Sequence, residues 1–80
     1  VVLSPELYNK ASGLCLVCPI TTSIKDYPFE VTLEGAKKTS GVALADQVRS
    51  IDWHARKIKI VDRISTTSVA TILAKLKPLL

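Results

Sequence analysis

The residues best equipped for chemistry in this 80-residue chain are Thr21, Thr22 and Ser23, three consecutive hydroxyls followed by Lys25. They close the run Leu14-Cys15-Leu16-Val17-Cys18-Pro19-Ile20, and groups at the end of a buried strand are held more rigidly than groups on a long loop. Hydroxyls and an ammonium can bind phosphate oxygens. The same composition is also that of an ordinary polar turn, and the local sequence leaves both readings open. A second cluster, Trp53-His54-Ala55-Arg56, brings an aromatic ring, an imidazole and a guanidinium together. Single-stranded RNA is recognised by such groups through base stacking and phosphate contacts. A Trp53 in the core or an interface, with Arg56 solvated, is the competing reading.

Other chemistries find less support. A Ser-His-Asp arrangement would need His54 with Asp46 or Asp52, and nothing in the chain resembles a nucleophile elbow. With a single histidine, a two-histidine ribonuclease mechanism is impossible within one subunit. Asp26, Glu30, Asp46 and Asp52 have no spacing that singles out a catalytic pair. Cys15 and Cys18 have Cys-x-x-Cys spacing, but they lie in a strand-like run where residues three apart point to opposite faces. With no second cysteine pair and one histidine, no zinc site is expected, nor any other metal or cofactor. The cysteines read as small buried hydrophobes of a reduced, cytoplasmic protein.

Composition bounds the class. A chain of this length holds one domain, residues 1–80. Its 48% hydrophobic and 22% charged residues are those of a globular chain. The longest uninterrupted apolar run, Leu14 to Cys18, is far short of the ~20 residues of a membrane span. No secretory signal opens the sequence, and three scattered glycines cannot form a phosphate loop. The formal charge of +4 is uneven: residues 1–48 carry −1 and residues 49–80 carry +5, mainly in Arg49, Arg56, Lys57, Lys59 and Arg63. Such a cluster can bind a nucleic-acid backbone by counterion release, or can be a solvated face.

The elements that must position these groups are mostly strands. Val1 to Ser4 reads as a strand ended by Pro5, and Asn9-Lys10-Ala11-Ser12-Gly13 has turn chemistry. Leu14 to Ile20 is a second strand, residues 21–28 a polar loop, and Phe29 to Leu33 an alternating, half-buried strand. After a loop from Glu34 to Ser40, Gly41–Ala45 and Gln47–Ile51 read as one long strand bent at Asp46. Ile58, Ile60 and Ile64 suggest one more short strand. Ser65-Thr66-Thr67-Ser68 offers N-cap hydroxyls to a helix over residues 65–77. Val69, Ile72, Leu73, Leu76 and Leu80 form its apolar stripe, and Pro78 should end it. The expected fold is mainly β, a bent sheet or small barrel closed by one C-terminal helix.

Taken together, Val2-Leu3-Ser4-Pro5, Tyr8-Asn9, Pro19-Ile20-Thr21-Thr22, Tyr27-Pro28-Phe29-Glu30-Val31 and the run Gly41 to Trp53 closely resemble the MazF/PemK family. These are the toxins of bacterial toxin–antitoxin pairs, sequence-specific endoribonucleases that cut messenger RNA. The ordered set of blocks covers most of residues 1–56. The resemblance implies an SH3-like barrel with a terminal helix, a homodimer, a cognate antitoxin as partner, and a bacterial cytoplasmic location. It implies metal-independent cleavage of single-stranded RNA, with the 2′-hydroxyl attacking the adjacent phosphate. Thr21 stands where the family has a catalytic threonine. Asn9, Thr22, Lys25, Arg49 and Arg56 match positions on the RNA-facing side.

The resemblance also marks a departure. The family has an opening strand and a Gly-x-Arg-Pro loop before the position of Val1, and the arginine of that loop is its principal catalytic cation. No residue here matches it. The 80 residues alone are therefore expected to lack ribonuclease activity and to self-associate through the Val1–Ser4 edge. A barrel that dimerises or binds antitoxin without cutting RNA is the alternative function. A gyrase-poisoning toxin of the same fold is a weaker third, because the matching blocks belong to the RNA-cutting branch.

Overall fold

The computed structural model describes residues 1–59 and 62–80. Two small antiparallel sheets meet at a corner. In the first, β1 (Leu14–Val17) pairs with β5 (Arg49–Asp52), placing Val17 opposite Arg49 and Leu14 opposite Asp52. In the second, β4 (Val42–Leu44) lies between β2 (Ile20–Thr21) and β3 (Glu30–Thr32). The chain turns the corner twice, at Cys18-Pro19 between β1 and β2 and at the Ala45-Asp46 turn between β4 and β5. The expected bend at Asp46 is present, but it divides the segment into strands of different sheets. The expected Leu14–Ile20 strand is likewise divided at Pro19, whose missing N–H cannot continue a ladder. The pairing does not close: there is no closed barrel among the described residues, as expected of a barrel without the family's opening strand, and the strands lie under a C-terminal helix.

Val1–Leu3 runs along the outer edge of β1. Val2 bridges Val17, Leu3 N donates to Leu16 O at 2.8 Å, and Cys18 N donates to Val1 O at 3.0 Å. Pro5 then starts a helix rather than a turn. Helix α1 (Glu6–Ser12) ends on Gly13, whose φ of 72° is the left-handed C-cap that glycine adopts without strain. Turn-like residues become helical here because tertiary bonds override propensity. Ser4 Oγ donates to Asn9 Oδ1 at 2.5 Å, Asn9 Nδ2 donates back to Ser4 O, and the Trp53 indole donates to Asn9 O at 2.9 Å. Trp53 belongs to α2 (Trp53–Arg56), capped by the Asp52 carboxylate accepting from Ala55 N.

Helix α3 (Thr66–Leu76) begins as its hydroxyls suggest, with Ser65 Oγ accepting from Ser68 N at 3.1 Å. Its buried face is centred on Ser68 and Ile72. Ile72 is fully buried among Cys18, Val31, Leu33, Ala43 and Ala45, where the two alanines let the helix sit close on the sheet. The stripe is therefore rotated from the expected one: Leu73 is 44% exposed and Leu80 94%. Ser68 earns an inward place by bonding, since its Oγ accepts from Glu34 N and donates to Thr32 O. Pro78 lies in a 3-10 turn, Lys77–Leu79, that finishes the helix. Of the expected Ile58–Ile64 strand, Ile60 lies outside the described residues, and Ile58, Lys59 and residues 62–64 are not in a strand. No helix among the described residues is long and apolar enough to cross a membrane.

Candidate functional site

Thr21 is the last residue of β2 and pairs with Val42. Its backbone is held by a close approach. A Cβ on Gly41 would lie 2.2 Å from Thr21 O, and Gly41 has φ 107°, so only glycine fits this crossing. The Thr21 hydroxyl accepts the Ser23 N–H at 3.1 Å. A hydroxyl with its oxygen so engaged has its proton left to give, and accepting one bond strengthens it as a donor of the next. The geometry suits donation to an anionic oxygen.

The loop after Thr21 is shaped by one carboxylate. Glu30 accepts from Lys25 N at 3.1 Å and Tyr27 N at 3.2 Å, folding residues 25–27 back over the start of β3. Thr22, Lys25, Ile24 and Tyr27 remain exposed. The Tyr27 hydroxyl donates to Asp46 Oδ2 at 2.8 Å, and that bond to a carboxylate raises its pKa above the usual phenol range. Lys75 Nζ reaches from α3 to Pro28 O at 2.6 Å, so the helix braces the same loop.

Beside this strand end lies an open groove of about 740 Å³. Val1, Val17, Cys18 and Ile51 contribute to an apolar floor, and Pro19 and Ile20, the two residues before Thr21, also line it. Arg49, Lys59 and Arg63 supply cations to its lining, joined by Thr39 and Asp62. Arg49 is placed there by its pairing with Val17 at the corner end of β5. Arg49 thus lines the groove, whereas Thr21 follows its lining residue Ile20 in the chain, with Thr22 and Lys25 on the loop beyond. Arg56, exposed on α2, does not line the groove, and the Asn9 side chain is occupied by Ser4.

Sequence reasoning did not single out Thr39 or Asp62. Asp62 accepts backbone N–H bonds from Lys37, Lys38, Thr39 and Arg63, which hold its carboxyl well below the usual carboxylate range. Nothing in the local sequence signals that contact, because three of its four donors are main-chain groups 23 to 25 residues away. Both cysteines are buried and free, as their strand placement suggested, and burial pushes the Cys18 thiol up. Among the described residues, no three His, Cys, Asp or Glu gather as a metal-binding set.

Comparison with known proteins gives a consistent picture. Residues 1–80 match the family described as PemK-like, MazF-like toxin of type II toxin-antitoxin system. The endoribonuclease toxin MazF of Escherichia coli K12 is 48% identical over the whole of this chain, which spans 71% of that protein. Endoribonuclease PemK of Escherichia coli is 31% identical over 84 aligned residues, the chain spanning 63% of it. Among solved structures, a MazE–MazF complex from Deinococcus radiodurans superposes with a TM-score of 0.94 at 43% identity, covering 99% of this chain and 78% of that one. The MazF structure from the same organism gives a TM-score of 0.91 at the same identity.

Proposed function

Because the chain belongs to the PemK-like, MazF-like toxin family, we propose that its groove receives single-stranded messenger RNA and that Thr21 serves the cutting of it. The protein is an endoribonuclease toxin, and residues 1–80 are read as one toxin domain. The observation that carries the site assignment is the Thr21 hydroxyl, fixed by Ser23 N–H at the end of β2 beside a groove rimmed with Arg49, Lys59 and Arg63.

The chemistry follows from what RNA offers. The ribose 2′-oxygen attacks the adjacent phosphorus, the phosphorus–5′-oxygen bond breaks, and a 2′,3′-cyclic phosphate and a 5′-hydroxyl result. One proton leaves the 2′-hydroxyl and one reaches the departing 5′-oxygen. No metal is needed for this route. Negative charge builds on the non-bridging oxygens, and a preorganised donor there is worth ~10²–10³ in rate. Thr21 supplies such a donor, and Arg49 supplies positive charge. Thr22 and Lys25 extend the phosphate contacts along the loop, with Asn9 and Arg56 as further candidates for RNA contact. Sequence preference then belongs to the exposed loop residues that meet the bases.

The partner is a cognate antitoxin whose acidic segment competes for the basic groove, in keeping with the MazE–MazF complexes of the relatives. Leu73, Leu79 and Leu80, exposed at the C-terminal end, are suited to a homodimer interface. A cytoplasmic site of action accords with two free cysteines. The test is end analysis of RNA cut in EDTA by the protein at its full natural length. The expected products carry a cyclic phosphate and a 5′-hydroxyl; cleavage that requires added metal or leaves a 5′-phosphate contradicts the proposal.

A further inference from the structure

Three consecutive backbone N–H groups converge on one side chain. Lys37 N donates to Asp62 Oδ2 at 3.1 Å and to Oδ1 at 3.3 Å, while Lys38 N and Thr39 N each donate to Oδ2 at 2.7 Å. Asp62 Oδ1 is closed from the other side by Arg63 N at 2.8 Å. A concave run of N–H groups of this kind is a nest, the backbone geometry that proteins use to hold anions. Here the seated anion is the chain's own carboxylate. It has no ion-pair partner among the described residues, so main-chain dipoles alone hold its charge.

Asp62 stands where a negative charge works against the groove. Arg49, Lys59 and Arg63 share the lining with it, and it is the sole acidic residue there among the described ones. The fold does not depend on this contact to join the two segments. Ser65 N already donates to Glu34 O at 2.7 Å, and Glu34 N donates to Ser68 Oγ at 3.0 Å.

We propose that the Lys37–Thr39 nest is a binding site for a phosphodiester of the RNA, which Asp62 fills in the free protein as a tethered stand-in. This rests on the RNA-cleaving reading above. A phosphodiester presents two anionic oxygens and one charge, the same count as the carboxylate it replaces, so the three N–H groups stay satisfied. The displaced Asp62 is at the surface and returns to water. Lys37 and Lys38 are exposed and carry positive charge on the nest itself, which the carboxylate does not need and a polyanion does. Until that exchange, Asp62 cancels one groove cation and acts as a brake on RNA binding.

The experiment compares Asp62→Asn with the unsubstituted protein for binding a short 2′-O-methyl RNA, which cannot be cleaved because its nucleophile is blocked. Asparagine keeps the shape and one acceptor oxygen but removes the charge. The variant is expected to bind about 3- to 10-fold more tightly at low salt, with a salt slope steeper by about 0.7. A merely structural Asp62 gives the opposite sign, and equal or weaker binding by a folded variant overturns the proposal. A second measurement needs no substitution. The amide resonances of Lys37, Lys38 and Thr39 are expected to move together when the oligonucleotide, or inorganic phosphate at higher concentration, is titrated into the protein. Shifts near Thr21 and Arg49 without shifts at these three overturn the nest while leaving the RNA reading in place. Failure of both proteins to bind the RNA brings down both readings together.

Discussion

Thr21 takes its direction from two backbone groups, since Ser23 N–H engages its oxygen and Gly41 leaves room for its carbonyl. Arg49 lines the groove, and its proposed contact with RNA phosphate has a measurable signature. Arg49→Ala is expected to weaken RNA binding across all sequences and to flatten the salt slope by about 0.7, the share of one phosphate contact on a single strand. Arg56→Ala, outside the groove lining, is expected to change the slope less. An unaltered slope for Arg49→Ala contradicts the groove assignment. Asp62 carries a separate, pH-dependent signature. Its carboxyl is depressed in the folded protein by backbone N–H bonds, so its contribution to stability is present above the unfolded carboxylate pKa of about 3.9 and fades as pH falls below it. Urea midpoints of Asp62→Asn and the unsubstituted protein should therefore differ most near neutrality and converge on acidification. A gap that widens toward low pH contradicts this. The strand-end place of Thr21 and the basic cluster that includes Arg49 are visible in one dimension. Asp62 is not, because its partners are main-chain groups with no sequence signature.

Elements follow the same division. Strand existence was readable from alternation, as in Phe29 to Leu33, and the α3 cap from its hydroxyls. The face of α3 was misread, because Leu73 and Leu80 outrank Ser68 in hydrophobicity while the sheet rewards Ser68 with two backbone partners. Substitutions separate the two faces. Ile72→Ala should cost about 2–5 kcal/mol in chemical denaturation, as a methyl-rich side chain leaves a closed core. Leu73→Ala should cost under about 1 kcal/mol at concentrations where the protein is monomeric. Similar losses for both contradict the rotated face. Gly41 links element to site: Gly41→Ala must either move β4 from β2 or move Thr21. The expected cost exceeds about 2 kcal/mol from left-handed strain and overlap with backbone. A variant with unchanged stability means that the crossing is looser than described. Helix α1 escaped the sequence reading because the bonds from Ser4 and Trp53 that hold it are tertiary.

At the scale of the molecule, the charge asymmetry finds a place. The basic second part of the chain contributes Arg49, Lys59 and Arg63 to the lining of a groove that also includes Ile20, the residue before Thr21. The incomplete barrel expected from resemblance takes the form of two sheets joined at a corner. The account stands or falls on the hydroxyl at its end. The direct measurement is single-turnover cleavage of a long unstructured RNA in EDTA by the protein at its full natural length, with and without Thr21→Ala. Far-ultraviolet circular dichroism run in parallel shows that both are folded. The account predicts a rate lower by ~10²–10³ for the folded variant, the value of one preorganised donor to the transition-state charge. Cleavage by Thr21→Ala within a few-fold of the unsubstituted rate contradicts it.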